Sequence, residues 1–129
     1  MFTPQGIFPV LPAHDLERAK SFYRDKLGMH PEEANDAQAR YRAGNVDFFL
    51  FRSTGRASGD HSQAAFVVDD LASTVSYLRG QGVGFETYDL PGLKTVDGIA
   101  EFPDTRRAWF MDSEGNLITI AESRSGHPG

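Results

Sequence analysis

The chain of 129 residues contains no cysteine, so disulfides, thiolate metal centres and a cysteine nucleophile are excluded. It has no apolar run near the roughly 20 residues that span a bilayer, which argues against a membrane helix. It also lacks any cluster of basic residues. Its 13 Lys and Arg face 18 Asp and Glu, for a net charge of -5, and a surface of that sign does not attract phosphate backbones. Neither nucleic acid nor membrane is therefore an expected partner. The opening Met1-Phe2-Thr3-Pro4-Gln5 lacks the basic-then-apolar order of a signal peptide, and a cytoplasmic location is expected. Neither G-x-S-x-G, nor G-x-G-x-x-G, nor a Walker loop occurs, which leaves hydrolase-elbow and nucleotide-loop chemistry without support.

What is present is ordinary for one globular domain: 40% hydrophobic and 24% charged residues, with enough length to bury a sizeable core. The informative feature is an internal echo. Ala13-His14-Asp15-Leu16-Glu17-Arg18-Ala19 follows an apolar strand and opens a helix, and Val68-Asp69-Asp70-Leu71-Ala72-Ser73-Thr74 repeats the arrangement 55 residues later. Each Asp is placed to cap its helix by accepting backbone N–H bonds. The first helix carries Leu16, Ala19, Phe22, Tyr23 and Leu27 at helical spacing and stops at Gly28; the second carries Leu71, Val75 and Leu78 and ends at Gly80 and Gly82. One apolar stripe per helix predicts that each lies on one face of a sheet. Strand signals follow at Ala39 to Arg42 and Val46 to Phe51, then at Val83 to Tyr88, Ala108 to Met111 and Leu117 to Ala121. A Gly-Asn pair, Gly44-Asn45 or Gly115-Asn116, precedes the last strand of each half.

The expected fold is therefore α+β: two βαβββ modules pairing their curved sheets around a groove. Module one covers about residues 5–53, a linker 54–61 and module two about 62–122, with a disordered tail at 123–129. Residues Asp89 to Asp104, with two prolines and two glycines, read as a long loop of the kind that forms lids or binding segments.

Three stretches carry a resemblance. Leu11 to Ala19 with Phe22-Tyr23 and Leu27-Gly28, Phe66 to Leu71, and Trp109 to Ile118 together resemble the vicinal oxygen chelate superfamily of glyoxalase, bleomycin-resistance and extradiol-dioxygenase proteins. Ser113 stands where proline is usual. Tyr88 to Ala100 further resembles a bacterial subgroup without a well-defined activity. The resemblance implies paired modules, a homodimer and, in metal-using members, a divalent ion held by His or Glu from four strands. The first ligand position lies seven residues before each capping Asp, which gives Phe8 and Gln63; the last lies three residues after each Asn, which gives Phe48 and Thr119. Two phenyl rings, a carboxamide and a hydroxyl cannot offset the desolvation of a divalent ion. The chain is thus identified as a member lacking the metal ligands, and no cofactor is expected.

The expected function is metal-free binding of a small organic molecule, with sequestration of a toxic or antibiotic-like compound as the role. Strand alternation places Phe8 and Val10 on the groove, with Leu11, Phe66 and Val68 under the helices. Phe8 and Phe48 suit stacking or cation–π contact with a flat or cationic ligand. Gln63, Tyr88, Glu101, Trp109 and Thr119 complete the ligand-binding candidates; each also has a plain structural reading, Trp109 as a half-buried core residue and Glu101 as a solvated charge. Two enzymatic alternatives remain. One is a metal-dependent lyase, isomerase or dioxygenase. The other is a metal-free enzyme with Glu101, the catalytic candidate, or Asp97 as general base and Gln63 or Tyr88 stabilising a developing oxyanion.

Overall fold

Both helices begin where the capping signals put them. In the computed structural model, which describes residues 1–123, the Asp15 carboxylate accepts the Arg18 N–H at 3.0 Å and opens α1 (Leu16–Asp25). The Asp70 carboxylate accepts the Ser73 N–H at 3.2 Å and opens α2 (Leu71–Gly80). Leu16, Ala19 and Tyr23 form the buried stripe of α1, and Leu71, Val75 and Leu78 that of α2.

Module one contributes β1 (Val10–Ala13), β2 (Glu33–Ala34), β3 (Gln38–Ala43) and β4 (Val46–Arg52) to a sheet ordered β1-β4-β3-β2. Module two contributes β5 (Ser62–Val68), β6 (Asp89–Leu90), β7 (Leu93–Val96), β8 (Ile99–Glu101), β9 (Arg106–Met111) and β10 (Leu117–Glu122), ordered β5-β10-β9-β8-β7-β6. The first strand of each module runs parallel to its last, β1 on β4 and β5 on β10. The mixed α+β architecture with one sheet per module agrees with the sequence reading.

Two local expectations are corrected. The stretch Val83 to Tyr88 is not a strand; it touches the sheet through a single bridge, Phe85 to Phe110. Gly82 at φ +94° and Gly84 break the extended run there, and glycine weakens a strand interior. Conversely, Asp89 to Asp104 is not an irregular loop. It folds into the β6–β7–β8 ribbon, whose second turn, Asp97-Gly98, has both residues at positive φ, the backbone a tight hairpin requires. Of the tail expected to be disordered, all but Ser123 lies outside the described residues.

The two modules share one core. Leu11, Tyr23, Tyr41 and Phe48 of module one and Val75, Phe110 and Ile118 of module two belong to the same buried cluster. Phe22 stacks on Phe110 at 6.4 Å and Phe48 meets Phe66 edge-on at 5.5 Å. Polar bonds lock the same junction. The Tyr23 hydroxyl donates to Asp112 at 2.8 Å, the Asn116 carboxamide donates to the Pro12 carbonyl at 3.0 Å, and Glu114 accepts from the Asp15 N–H and the Arg18 guanidinium. All of these contacts lie on the helix side of the sheets, so the opposite faces turn away from the junction. Phe8, Val10 and Val67 on those faces are about half exposed.

Candidate functional site

The helix-free face of module two is built from alternate residues. Phe85 packs on Phe110 in the core at 5.9 Å, so its neighbour Glu86 falls on the other side, where its N–H donates to the Trp109 carbonyl at 2.8 Å. Trp109 pairs with Thr119, and Thr119 with Ala65; Arg107 pairs with Ala121, and Ala121 with Val67. The resulting surface has two parts. Tyr88 and Phe102 stand nearly perpendicular to the Trp109 ring, at 5.4 and 6.5 Å, and form an aromatic ridge. Beside it lies a floor of small side chains, Ala65, Thr119 and Ala121. Tyr88 is fixed by backbone and side-chain bonds to Thr95, and burial, then the Glu86 charge, push its phenol pKa up. The Arg107 guanidinium lies 5.6 Å over Phe102.

The helix-free face of module one carries Phe8 against Phe49, with centroids 4.9 Å apart, and Val10 beside Phe49 in the parallel register. Its charges neutralise one another: Arg40 bonds Glu33 at 2.7 Å and approaches Asp47, and Arg42 reaches Asp47 at 3.2 Å.

Against the sequence candidates, Trp109, Tyr88 and Thr119 share one face, and β5 alternation puts Gln63 on the side of Ala65 and Val67. The Gln63 carboxamide oxygen is buried without a hydrogen-bond partner among the described residues. Thr119 is buried, and its hydroxyl contacts that of Ser62 at 2.6 Å. Phe8 lies on the module-one face as expected, and Leu11, Phe66 and Val68 lie on the core side. Phe48 does not reach the open face. It is buried against Tyr23, Tyr41 and Phe66. Counting three residues from each Gly-Asn pair treated the two turns as equivalent. However, a two-residue turn closes β3–β4 at Ala43↔Val46, whereas a five-residue loop closes β9–β10 at Met111↔Leu117. The difference reverses strand parity, and a one-residue offset exchanges every side chain between faces. Phe49, not Phe48, is the open-face residue. Glu101 is likewise displaced: it pairs with Arg106 and lines a cavity of about 360 Å³ with Val75 and Arg79 of α2, on the side opposite Trp109. Asp97 sits in the exposed β7–β8 turn, its carbonyl accepting from Arg79. Glu86, Arg107 and Phe102 were missed. Glu86 and Arg107 are one residue either side of core-facing positions, which only the register reveals.

With the register corrected, the four ligand positions hold Phe8, Phe49, Gln63 and Thr119. Phenyl rings, a carboxamide and a hydroxyl already bonded to Ser62 do not fit a divalent ion. Asp47, the carboxylate nearest Phe49 in β4, is held by two arginines. Among the described residues no group of three His, Cys, Asp or Glu side chains is arranged to hold a metal. A larger hollow, about 530 Å³, opens at the start of α2 among Asp69, Asp104 and Glu122. Phe102 also lines it, whereas Trp109 and Tyr88 do not, and Glu122 there is engaged by Arg106 and the Leu71 N–H.

The glyoxalase/bleomycin resistance protein/dioxygenase superfamily model matches residues 8–120. The chain belongs to that superfamily. Comparison with curated proteins finds no match. Among solved structures of this fold, a bleomycin-binding protein from bleomycin-producing Streptomyces verticillus, complexed with copper(II)-bleomycin, is 24% identical with a TM-score of 0.72, over 96% of this chain and 100% of that one. Lactoylglutathione lyase from Agrobacterium tumefaciens is 20% identical with a TM-score of 0.67, over 92% and 94%. A glyoxalase/bleomycin resistance protein/dioxygenase from Nocardioides is 20% identical with a TM-score of 0.71, over 100% and 90%. At these identities the likeness concerns the fold.

Proposed function

We propose that this superfamily member is a metal-independent binder of a small organic molecule, held on the module-two face between the Trp109 ridge and the Ala65–Thr119–Ala121 floor. The observation that carries the reading is this pairing of three aromatic rings with a shelf of small side chains, on a face whose former ligand positions offer no charged donor. A flat apolar ligand gains stacking on the ridge and burial on the shelf. Sequestration of a toxic or antibiotic-like compound in the cytoplasm is the role this arrangement serves; the copper(II)-bleomycin complex of the Streptomyces verticillus relative is a precedent for the fold.

Because each module turns its open face away from the shared core, the cleft closes between module one of one copy and module two of another. The protein therefore works as a homodimer, with modules at about 5–53 and 62–122 joined by a linker at 54–61. Both β1 and β5 are edge strands, free to meet across such an interface. Titration of Trp109 fluorescence with a broad set of organic compounds tests the reading. Saturable quenching, unchanged by chelator and abolished by Trp109→Leu, is expected. A set with no binder, or binding that requires a stoichiometric metal, overturns it.

A further inference from the structure

The charged groups around Trp109 differ from those elsewhere on the open faces. Glu33, Asp47, Arg40 and Arg42 neutralise one another on module one. Glu86 and Arg107 do not: neither has an ion-pair partner among the described residues, and they do not pair with each other. Glu86 is half-buried and anchored beside Trp109 through its own N–H. Arg107 stands two residues from Trp109 on the same face of β9, roughly 7 Å along the strand, with only the Phe102 ring beneath it. One unpaired anion and one unpaired cation thus flank a single indole. An unpaired carboxylate beside an aromatic ring offers a bound cation an ion pair and a cation–π contact at once.

Resting on the proposed ligand face, we infer that its ligand class is an aromatic zwitterion. An ammonium group sits against Glu86 and Tyr88, the ring lies on Trp109, and a carboxylate reaches Arg107. A guanidinium forks onto a carboxylate in two parallel hydrogen bonds, so the two ends are recognised by different chemistry and the ligand has one orientation. Glu86 and Arg107 are its specificity-determining residues.

Four probes built on one benzene ring test this by Trp109 fluorescence or calorimetry: 4-(aminomethyl)benzoate, benzylamine, benzoate and 4-methylbenzyl alcohol. The zwitterion is expected to bind at least about ten-fold more tightly than either singly charged probe, the ratio that about 1.4 kcal/mol gives. Glu86→Gln brings the zwitterion down to the level of benzoate, and Arg107→Gln to that of benzylamine, with thermal melting unchanged in both. Equal binding of all four probes, or a preference that survives both substitutions, overturns the inference. If other organic compounds quench Trp109 while the zwitterion has no advantage, the inference fails and the ligand face stands; if nothing quenches, both fail.

Discussion

Substituting Glu114 by glutamine tests the polar clasp that joins the modules. Its side chain is fully buried, yet it accepts from the Arg18 guanidinium at 2.8 and 3.1 Å, the Asp15 N–H at 2.9 Å and the Ser113 hydroxyl at 2.9 Å. Burial by itself raises a carboxyl pKa; these four bonds and the Arg18 charge outweigh it and hold Glu114 at about 2, against its ordinary 4.5. That difference corresponds to about 3 kcal/mol favouring the folded, ionised state. Arg18 is half exposed, and solvent screening trims the contribution to about 2 kcal/mol. Because the folded pKa is depressed, the stabilisation is complete above about pH 4.5 and is lost as pH falls towards 2. Glu114→Gln keeps the shape and removes the charge. Urea melts at pH 7 are expected to show a loss of about 2 kcal/mol, and wild type and variant are expected to converge as pH falls from 4.5 towards 2. A loss below about 0.5 kcal/mol, or two parallel acid profiles, would refute the reasoning.

Other outcomes follow from the same geometry. Tyr23→Phe removes one of the donors to buried Asp112, which also accepts from the Asn116 carboxamide and two backbone N–H groups; a loss of about 1–2 kcal/mol in denaturant melts is expected. Glu101→Gln leaves ligand affinity unchanged within error, since Glu101 faces α2 and not Trp109; a ten-fold loss would restore it to the site. Val67→Lys places a charge on the free edge strand β5, where Val67 is 49% exposed. It is expected to break the proposed homodimer, leaving a monomer in light scattering with its circular dichroism unchanged.

The modular plan was legible in the sequence because it rests on local physics. Asp15 and Asp70 cap helices by bonds three residues away, the apolar stripes of α1 and α2 follow helical spacing, and the core-facing roles of Leu11, Phe66 and Val68 follow from strand alternation. The helix-free face of module two was only partly legible. Trp109 was singled out beside an alternating strand, Tyr88 at a loop edge and Thr119 by the ligand count that the resemblance implies, and these three share that face; Phe48 and Glu101, named with them, lie on the helix side. A short turn and a longer loop that end in similar Gly-Asn pairs set opposite parities, and the β6–β8 ribbon took its register from pairing with β9 rather than from any pattern of its own.

The sequence by itself determined which residues cap, stack and bury, and the poverty of charge at the ligand positions of the superfamily, since these depend on side-chain chemistry and near neighbours. Only the tertiary structure decided that Glu86, Trp109 and Arg107 share a surface, and that both open faces point away from the common core. Those relations depend on cross-strand register and on the packing of Phe22 on Phe110 and Glu114 on Arg18, contacts between residues 88 and 96 positions apart, which no local pattern encodes.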